Sequence, residues 1–329
     1  MKKSTPQICF PMCLFIILML ISSCGENDRF RYEEGFVWNT VYHISYESER
    51  SLTDSIIEVF NNIDSSLSAF NPESTVSKIN DNRSTNIDSL FAEVYRESVK
   101  INRASSGAFD PTLAPLIRAW GFGQGHEVNS DTLRLDSLLS FVGISKTWIS
   151  GGELVKEDPR IEFNFSALAK GYGVDCVADM LERNGVSNYL VEIGGEIRLS
   201  GHNSRGEDWC VGIDRPEEGL PQGETVLNIV MSSGAIATSG NYRNFQESGG
   251  NRFGHTLSAV TGRPVKTDVI SATVVAPACM EADALATTCM AIGKEKALDL
   301  CNRLRAGVML VCDDMSVVYN PVFGSLIRQ

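Results

Sequence analysis

The densest group of chemically capable residues lies in one segment, NFSALAKGYGVD, which runs from Asn164 to Asp175. A strand-like stretch ends there, Ser166 stands where a helix would begin, and Lys170 follows within the first helical turns. The free N–H groups of a helix start, with an ammonium group nearby, are suited to binding a phosphate. The later turn Gly194-Gly195-Glu196 would let backbone approach such a ligand closely. We therefore expect a phosphate-bearing ligand at this segment. Taken alone, a lysine placed like Lys170 is more often only solvated, and a glycine pair more often forms an ordinary tight turn.

A second group pairs Asp283 with Thr287, four residues apart in a run of small apolar residues. This spacing places both side-chain oxygens on one face of a helix. Carboxylate and hydroxyl oxygens suit Mg²⁺, which usually keeps some waters and binds substrate phosphate. A lone pair of this kind is usually surface chemistry, but a charge in an apolar helix needs a partner. His255, one of four histidines, is a candidate acid or base, and a structural histidine is an equally open interpretation.

The elements that must position these residues follow from apolar periodicity. Helices are predicted at Leu52–Leu67, Leu90–Ser105, Asp131–Val142, Ala167–Asn184, Ala278–Gly293 and Glu295–Leu304. Strands are predicted at Phe36–Tyr46, Lys146–Ile149, Arg160–Phe165, Tyr189–Ile193, Glu196–Ser200, Asp208–Ile213, Glu224–Met231, Ala235–Ser239 and Ile270–Ala276, with a final hairpin of Val308–Val311 and Val317–Tyr319. Strands and helices come in runs without strict alternation, which favours the α+β class.

The N-terminus is typical of a targeting segment. Lys2 and Lys3 precede an apolar run, Ile8–Ile21, whose fourteen residues are too few to cross the ~30 Å hydrocarbon core comfortably but match a signal peptide. The run ends in Ile21-Ser22-Ser23-Cys24, the pattern of a bacterial lipoprotein signal, in which the cysteine thiol carries the lipid. We predict a removed signal over residues 1–23, a tether over 24–35 and one enzyme domain over 36–329. A plain secretory signal or a short membrane anchor is the alternative.

Composition narrows the classes of function. The formal net charge is −12, and removal of Lys2 and Lys3 would make it −14. A chain this acidic lacks the basic surface by which proteins bind nucleic acid. The six cysteines after Cys24 include no CxxC pair, which argues against a zinc site. The roughly 300 residues that would remain after removal of the signal are enough to form one large domain or two intimate subdomains.

Taken together, the motifs resemble those of the ApbE family, flavin transferases that move FMN from FAD onto a protein threonine. The resemblance runs from about Val37 to Leu326, and its landmarks stand in the family order: Leu67-Ser68 to Asn80, Ser106–Thr112, Trp120–Gly123, Ser166–Gly171 with Asp175, Gly194–Glu196, Thr238–Arg243, Thr261–Pro264, and Glu281–Asp283 with Thr287. Any one of these motifs is weak, but eight in order are specific.

The resemblance implies a fold and a set of roles. The fold would be an ApbE-like α+β fold, with mixed or antiparallel sheets and packed helices in two intimate subdomains. Asp283 and Thr287 would bind Mg²⁺ through side-chain oxygens, Ala167 would bind it through its carbonyl, and His255 would be the acid or base. The positions implied to bind FAD are Trp38, Phe70, Ala108, Phe109, Asp110, Asn164, Lys170 and Gly254.

Four departures from the family pattern affect the site. Trp38-Asn39 replaces the usual Met-Gly, Phe70 replaces a tyrosine, and Asn164 replaces an aspartate. After the histidine the family commonly runs into Asp-Pro, whereas Thr256-Leu257-Ser258-Ala259 follow here. An aromatic ring can still stack on a flavin or adenine ring, whereas Asn164 removes a charge near the ligand. The departures therefore bear more on the rate of transfer than on FAD binding.

The resemblance implies Mg²⁺-dependent transfer of FMN from FAD to a threonine hydroxyl of an acceptor protein, with release of AMP. The acceptor would be a subunit of a membrane redox complex, such as a sodium-pumping NADH–quinone reductase or a related electron-transport complex. With the lipid signal, the expected location is the periplasmic face of the inner membrane. Two alternatives remain open: an FAD pyrophosphatase that gives FMN and AMP, and a non-catalytic FAD-binding lipoprotein.

Overall fold

A computed structural model of the chain describes residues 29–122, 135–216, 225–240, 245–248, 251–254 and 256–328. The helices are α1 (Thr53–Leu67), α2 (Thr75–Asn80), α3 (Ser89–Ala104), α4 (Ala114–Ala119), α5 (Leu135–Leu139), α6 (Ala169–Arg183), α7 (Cys279–Ile292), α8 (Lys294–Leu304) and α9 (Pro321–Gly324). The strands are β1 (Phe30–Val37), β2 (Thr40–Glu47), β3 (Thr147–Ser150), β4 (Glu153–Lys156), β5 (Tyr189–Ile193), β6 (Glu196–Ser200), β7 (Trp209–Asp214), β8 (Thr225–Met231), β9 (Ser233–Gly240), β10 (Phe245–Ser248), β11 (Asn251–Gly254), β12 (Val269–Ala276), β13 (Gly307–Cys312) and β14 (Val317–Tyr319).

Eight of these strands form one antiparallel sheet in the order β1-β2-β5-β6-β9-β12-β13-β14. Helices α1, α6 and α7 pack on one face, through side chains such as Ile56, Val177 and Leu285. The β7–β8 ribbon covers the other face through Trp209 and Ile229. Because both faces are covered, the central strands β12 and β13 are buried along almost their whole length.

Helix α7 lies in the middle of the helical layer and is buried on nearly every side. Because its alanine side chains are small, neighbouring elements can approach it closely on every side. It packs against β9, β12, α6 and α8. Helix α6 approaches it at Gly171, where an added Cβ would overlap the Cys279 carbonyl and lie 2.9 Å from the Asp283 Cβ. A glycine at this position therefore sets the spacing between α6 and α7.

The N-terminus of α7 is capped by a side chain from α6. The N-cap residue, Ala278, has no side chain that could accept the first free N–H groups. Asp175 accepts them instead, from the backbone N–H of Cys279 at 2.9 Å and of Met280 at 2.8 Å. Arg198 on β6 donates to the same carboxylate at 3.2 Å. Asp175 thus fixes α7 against both α6 and the sheet.

The α+β class and the antiparallel sheet are confirmed. The predicted helices match those of the structure within a few residues, apart from the start of Asp131–Val142, which lies outside the described residues. Two strand predictions are wrong. The expected single strand Phe36–Tyr46 is a hairpin, because the backbone of Trp38 and Asn39 takes positive φ angles and reverses the chain. The segment Arg160–Phe165 forms no strand, because its backbone bonds to loops, as in the donation from Asn164 N–H to the Pro111 carbonyl at 2.7 Å.

The predicted tether is shorter at its C-terminal end. Strand β1 begins at Phe30, inside the range 24–35, because Phe30 packs against Trp209 and β1 pairs with β2. The predicted signal over 1–23 and the lipidation site Cys24 lie outside the described residues. Of the helices in the described ranges, none has the length and apolar character needed to span a bilayer.

Replacing Asp175 with alanine tests the cap. We expect the free energy of unfolding to fall by about 3 kcal/mol, because two buried N–H groups and Arg198 lose a charged acceptor. Urea denaturation of the purified domain measures the change. The matched control is Asp179→Ala, which removes a half-exposed carboxylate 2.8 Å from the same arginine and should alter the unfolding free energy by less than about 1 kcal/mol. Equal effects of the two variants would contradict the capping role.

Candidate active site

A cleft of about 570 Å³ opens between the helical layer and the ends of β6 and β9. It is lined by the loop after α3, the start of α6, the turn before β6 and the middle of α7. Nine of the residues singled out in the sequence lie along it: Phe70, Ala108, Phe109, Asp110, Asn164, Ala167, Lys170, Asp283 and Thr287. Segments that are far apart in the sequence therefore meet in one place.

Lys170 supplies the positive charge on the wall of the cleft. It lies in the first turn of α6, and its ammonium group donates to Oε1 of Glu196, the first residue of β6. Burial alone would lower the pKa of Lys170, but the charges of Glu196 and Asp283 outweigh it and raise that pKa. The lysine is therefore held charged at the edge of the cleft, where an anionic ligand would meet it.

Two predicted metal ligands, Asp283 and Thr287, lie on α7, and the third, Ala167, lies just before α6. Asp283 is buried, and its Oδ2 accepts the Gly171 N–H at 3.1 Å. In a regular helix that N–H would donate to the Ala167 carbonyl, so the bond to Asp283 leaves the carbonyl without this partner. The Thr287 hydroxyl lies one helical turn from Asp283 and 3.2 Å from Ser239 Oγ on β9. A carboxylate, a hydroxyl and a backbone carbonyl thus line one part of the cleft.

The charge balance of the cleft fits a divalent cation. Burial raises the pKa of Asp283, and it raises the pKa of Glu196 to about 8, although Lys170 opposes both shifts. Two buried carboxylates sharing one lysine lack positive charge, which a metal ion would supply. Within the described residues, no group of three or more His, Cys, Asp or Glu side chains could hold a metal. The oxygen donors here suit Mg²⁺, which needs few protein carboxylates when waters and phosphate complete its shell.

Asp110 and Asn164 line the cleft with their side-chain oxygens already bonded to protein. The Asp110 carboxylate accepts from the Thr112 N–H at 2.9 Å and the Ile144 N–H at 3.0 Å. The Asn164 Oδ1 accepts the Ser166 N–H at 2.9 Å and so shapes the turn into α6. Both side chains hold loops in place, and their contact with a ligand stays a prediction.

Three predicted residues are not placed in the cleft. Trp38 is not among its described lining, because its indole packs on Gly173 and lies edge-to-face with Phe60 at 5.4 Å. Gly254 ends β11, and its contact with a ligand stays a prediction. His255 lies outside the described residues, so its role stays a prediction.

Glu196 and Ser239 also line the cleft, although no motif predicts a role for either side chain. The glycine-rich turn that contains Glu196 predicts only a close approach of backbone to a ligand. Its strand alternates polar and apolar residues, so a period of two places Glu196 on the polar face with Arg198 and Ser200, and nothing in this pattern predicts its burial. Ser239 carried no signal either, because its contact with Thr287 depends on the packing of β9 against α7.

Comparison with known proteins agrees with this geometry. The model of the ApbE family matches residues 38–311. A protein of Vibrio cholerae named FAD:protein FMN transferase is 34% identical over 307 residues, which cover 89% of this chain and 91% of that protein. One of the same name from Haemophilus influenzae is 32% identical and covers 88% and 89% of the two chains. The chain belongs to the ApbE family. It is therefore an enzyme, a transferase.

The solved structures of ApbE proteins have the same fold. The flavin transferase ApbE from Vibrio cholerae superposes with a TM-score of 0.80 at 30% identity, and the match covers 90% of this chain and 99% of that one. This agreement confirms the α+β assignment over most of the length. It also shows that this ApbE chain carries its cleft on a scaffold shared with other members.

Replacing Gly171 with alanine tests the close contact behind the cleft. In an exposed helix this change stabilises by about 1 kcal/mol, because glycine is the poorer helix former. Here we expect the opposite sign, a loss of about 1–3 kcal/mol in unfolding free energy, because the new methyl group overlaps the α7 backbone. Chemical denaturation measures it, and an unchanged or raised stability would show that α7 is not held this tightly.

Proposed function

We propose that this ApbE protein transfers the FMN moiety of FAD to a threonine hydroxyl of an acceptor protein, in a Mg²⁺-dependent reaction that releases AMP. Flavin transfer in general follows from its family and from the names of its relatives. The cleft supports the further proposal that FAD binds through its pyrophosphate and Mg²⁺, because it is lined by Lys170 and by the oxygen donors of Asp283 and Thr287. One cation and a set of hard oxygen donors are what a pyrophosphate with its metal requires.

The chain's own residues have separable tasks in this reaction. Asp283, Thr287 and the Ala167 carbonyl would hold Mg²⁺, which when bound neutralises charge on the phosphate oxygens. Lys170 places a second positive charge at the pyrophosphate and, tied to Glu196, needs little reorganisation as charge develops. Phe70, whose side chain is 72% exposed, offers an aromatic surface at the cleft for a flavin or adenine ring. The threonine oxygen attacks the FMN-side phosphorus in line, and AMP leaves.

We further propose that the protein is exported and anchored by a lipid on Cys24, at the periplasmic face of the inner membrane. The signal-like start and the short polar segment after Cys24 support this location. Acceptor subunits of membrane redox complexes would then share one surface with the enzyme. Confinement to a surface raises the effective concentration of enzyme and acceptor without any new contact.

Mass spectrometry tests the proposed reaction. A candidate acceptor incubated with the enzyme, FAD and Mg²⁺ should gain the mass of an esterified FMN on threonine, with release of an equal amount of AMP. Release of AMP without labelling would show a pyrophosphatase instead. Tight FAD binding with neither product would show a non-catalytic binder.

Thr287→Val tests the metal ligands without removing the buried charge of Asp283. The valine has nearly the same shape, but it takes one oxygen from the metal site. We expect the Mg²⁺ concentration for half-maximal rate to rise about tenfold or more, with FAD binding in the absence of metal unchanged. Asp283→Ala should abolish the metal dependence altogether. Unaltered metal dependence in both variants would refute the assignment.

Cys24→Ser tests the anchor. Without the thiol no lipid can be attached, so the protein should move from the membrane fraction to the soluble fraction of the cell envelope. Immunoblots of fractionated cells measure the distribution, with Cys210→Ser as the control that removes a different exposed cysteine. An unchanged membrane association of the Cys24 variant would favour a plain membrane anchor.

A further inference from the structure

A second groove, here named the α8 groove, opens beside the cleft. Its volume is about 470 Å³, and it is lined by the end of α3 and the loop after it, by the segment Ser258–Val260 and by one side of α8. Ala108 and Ala291 line both the α8 groove and the cleft. Thr256 and Leu257, which directly precede Ser258, line the cleft. The two openings therefore adjoin each other.

Helix α7 sets the distance from the proposed metal site to the α8 groove. Asp283, Thr287 and Ala291 follow one another at intervals of four, so they lie on one face of α7. At a rise of 1.5 Å per residue, Ala291 lies about 6 Å along the helix from Thr287. An extended chain covers that distance in about two residues. A protein segment whose threonine reaches the metal site would thus place the residues on one side of it in the groove.

The α8 groove carries a positive charge on a chain whose formal net charge is −12. Its charged lining consists of Lys296, Asp299 and Arg303, all on α8. Arg303 is engaged, because its Nε lies 3.0 Å from Oδ2 of Asp299 and it donates to the Ala104 carbonyl at 3.4 Å. Lys296 is exposed and makes no hydrogen bond or ion pair within the described residues. The groove therefore offers one uncompensated cation, which attracts a carboxylate.

The rest of the lining suits a peptide better than another part of FAD. Ile292 and Val260 give the groove an apolar surface, and Val260 is 78% exposed. The phosphates of FAD would be held in the cleft by Lys170 and the metal, and its flavin and adenine rings carry no negative charge for Lys296 to attract. A protein segment can supply apolar side chains and a carboxylate together, and so satisfies both features of the groove.

We propose that the α8 groove is the docking surface for the acceptor protein, and that Lys296 pairs there with an acidic side chain near the acceptor threonine. This inference rests on the proposed transfer reaction and names the surface by which that reaction selects its protein substrate. A pair at an exposed rim contributes more to specificity and to the rate of encounter than to affinity. Acceptor segments without a carboxylate at this spacing would leave Lys296 unpaired and be labelled more slowly.

Lys296→Glu tests the docking role. With FAD and Mg²⁺ saturating, we expect kcat/KM for a candidate acceptor to fall about tenfold or more at low ionic strength, because like charges then meet. The loss should shrink as salt is added, and the Kd for FAD should stay within about twofold. The matched control is Lys294→Glu, which makes the same charge change on α8 outside the groove lining. It should keep kcat/KM within about twofold of the unmodified enzyme.

A charge swap identifies the partner of Lys296. Acidic residues near the acceptor threonine are changed to lysine one at a time, and each acceptor variant is labelled by the unmodified enzyme and by Lys296→Glu. One of them should be a poor substrate for the unmodified enzyme and should regain most of its rate with Lys296→Glu. Such a rescue requires direct pairing, which a general effect of charge on stability or encounter does not produce.

Four results would overturn the docking proposal. They are an unchanged kcat/KM for the acceptor in Lys296→Glu, an equal loss in Lys294→Glu, a weakened binding of FAD, which would assign the groove to FAD, and the absence of any rescue by a charge swap. If the unmodified enzyme labels its acceptor, the proposed function stands whatever these variants show. If it labels none, the proposed function fails, and the docking proposal fails with it.

Discussion

The close contact between α6 and α7 is the constraint on which the rest of the structure depends. At Gly171 the two helices approach so closely that a methyl group would not fit between them. The N–H of the same residue donates to the Asp283 carboxylate. This single contact buries a charge and diverts the Gly171 N–H, which in a regular helix would donate to the Ala167 carbonyl. Asp175, one turn along α6, completes it by capping α7. The contact that packs α6 against α7 is therefore also the contact that positions the buried carboxylate of the site.

The site is electrostatically incomplete by itself, which is typical of a site organised for a ligand. Lys170 lies among two buried carboxylates, and the pKa values of both acids are raised by burial. Removing charge would stabilise such a cluster, as replacement of buried ion pairs by apolar groups often does. The chain instead keeps them within a surrounding core of apolar side chains. In the proposed reaction, a cation and an anion that bind together would recover the free energy that this arrangement costs.

Many elements of the fold and many residues of the site could be predicted from the sequence. The features that could not be predicted have physical causes. Helices α1, α3, α6 and α7 and most strands follow from apolar periodicity, and the motif order indicated which distant segments would meet. The turn at Trp38-Asn39 was hard to predict, because asparagine favours positive φ but tryptophan, which must adopt it as well, does not. The role of Asp175 was hidden too, since its bonds to α7 join residues more than a hundred positions apart. Tertiary contacts of this kind leave no local pattern.

Two of the departures from the family pattern, at Asn164 and Trp38, are compensated within the described structure. Asn164 accepts the Ser166 N–H through Oδ1, a bond for which an aspartate would serve no differently, so the turn into α6 survives the loss of charge. Trp38 holds its left-handed backbone because its indole fills the space over Gly173 and packs against Phe60. The positive charge of the cleft does not depend on these positions, because Glu196 holds Lys170 in place and helps to raise its pKa. A ligand phosphate would therefore meet a fixed ammonium group whether asparagine or aspartate stands at position 164.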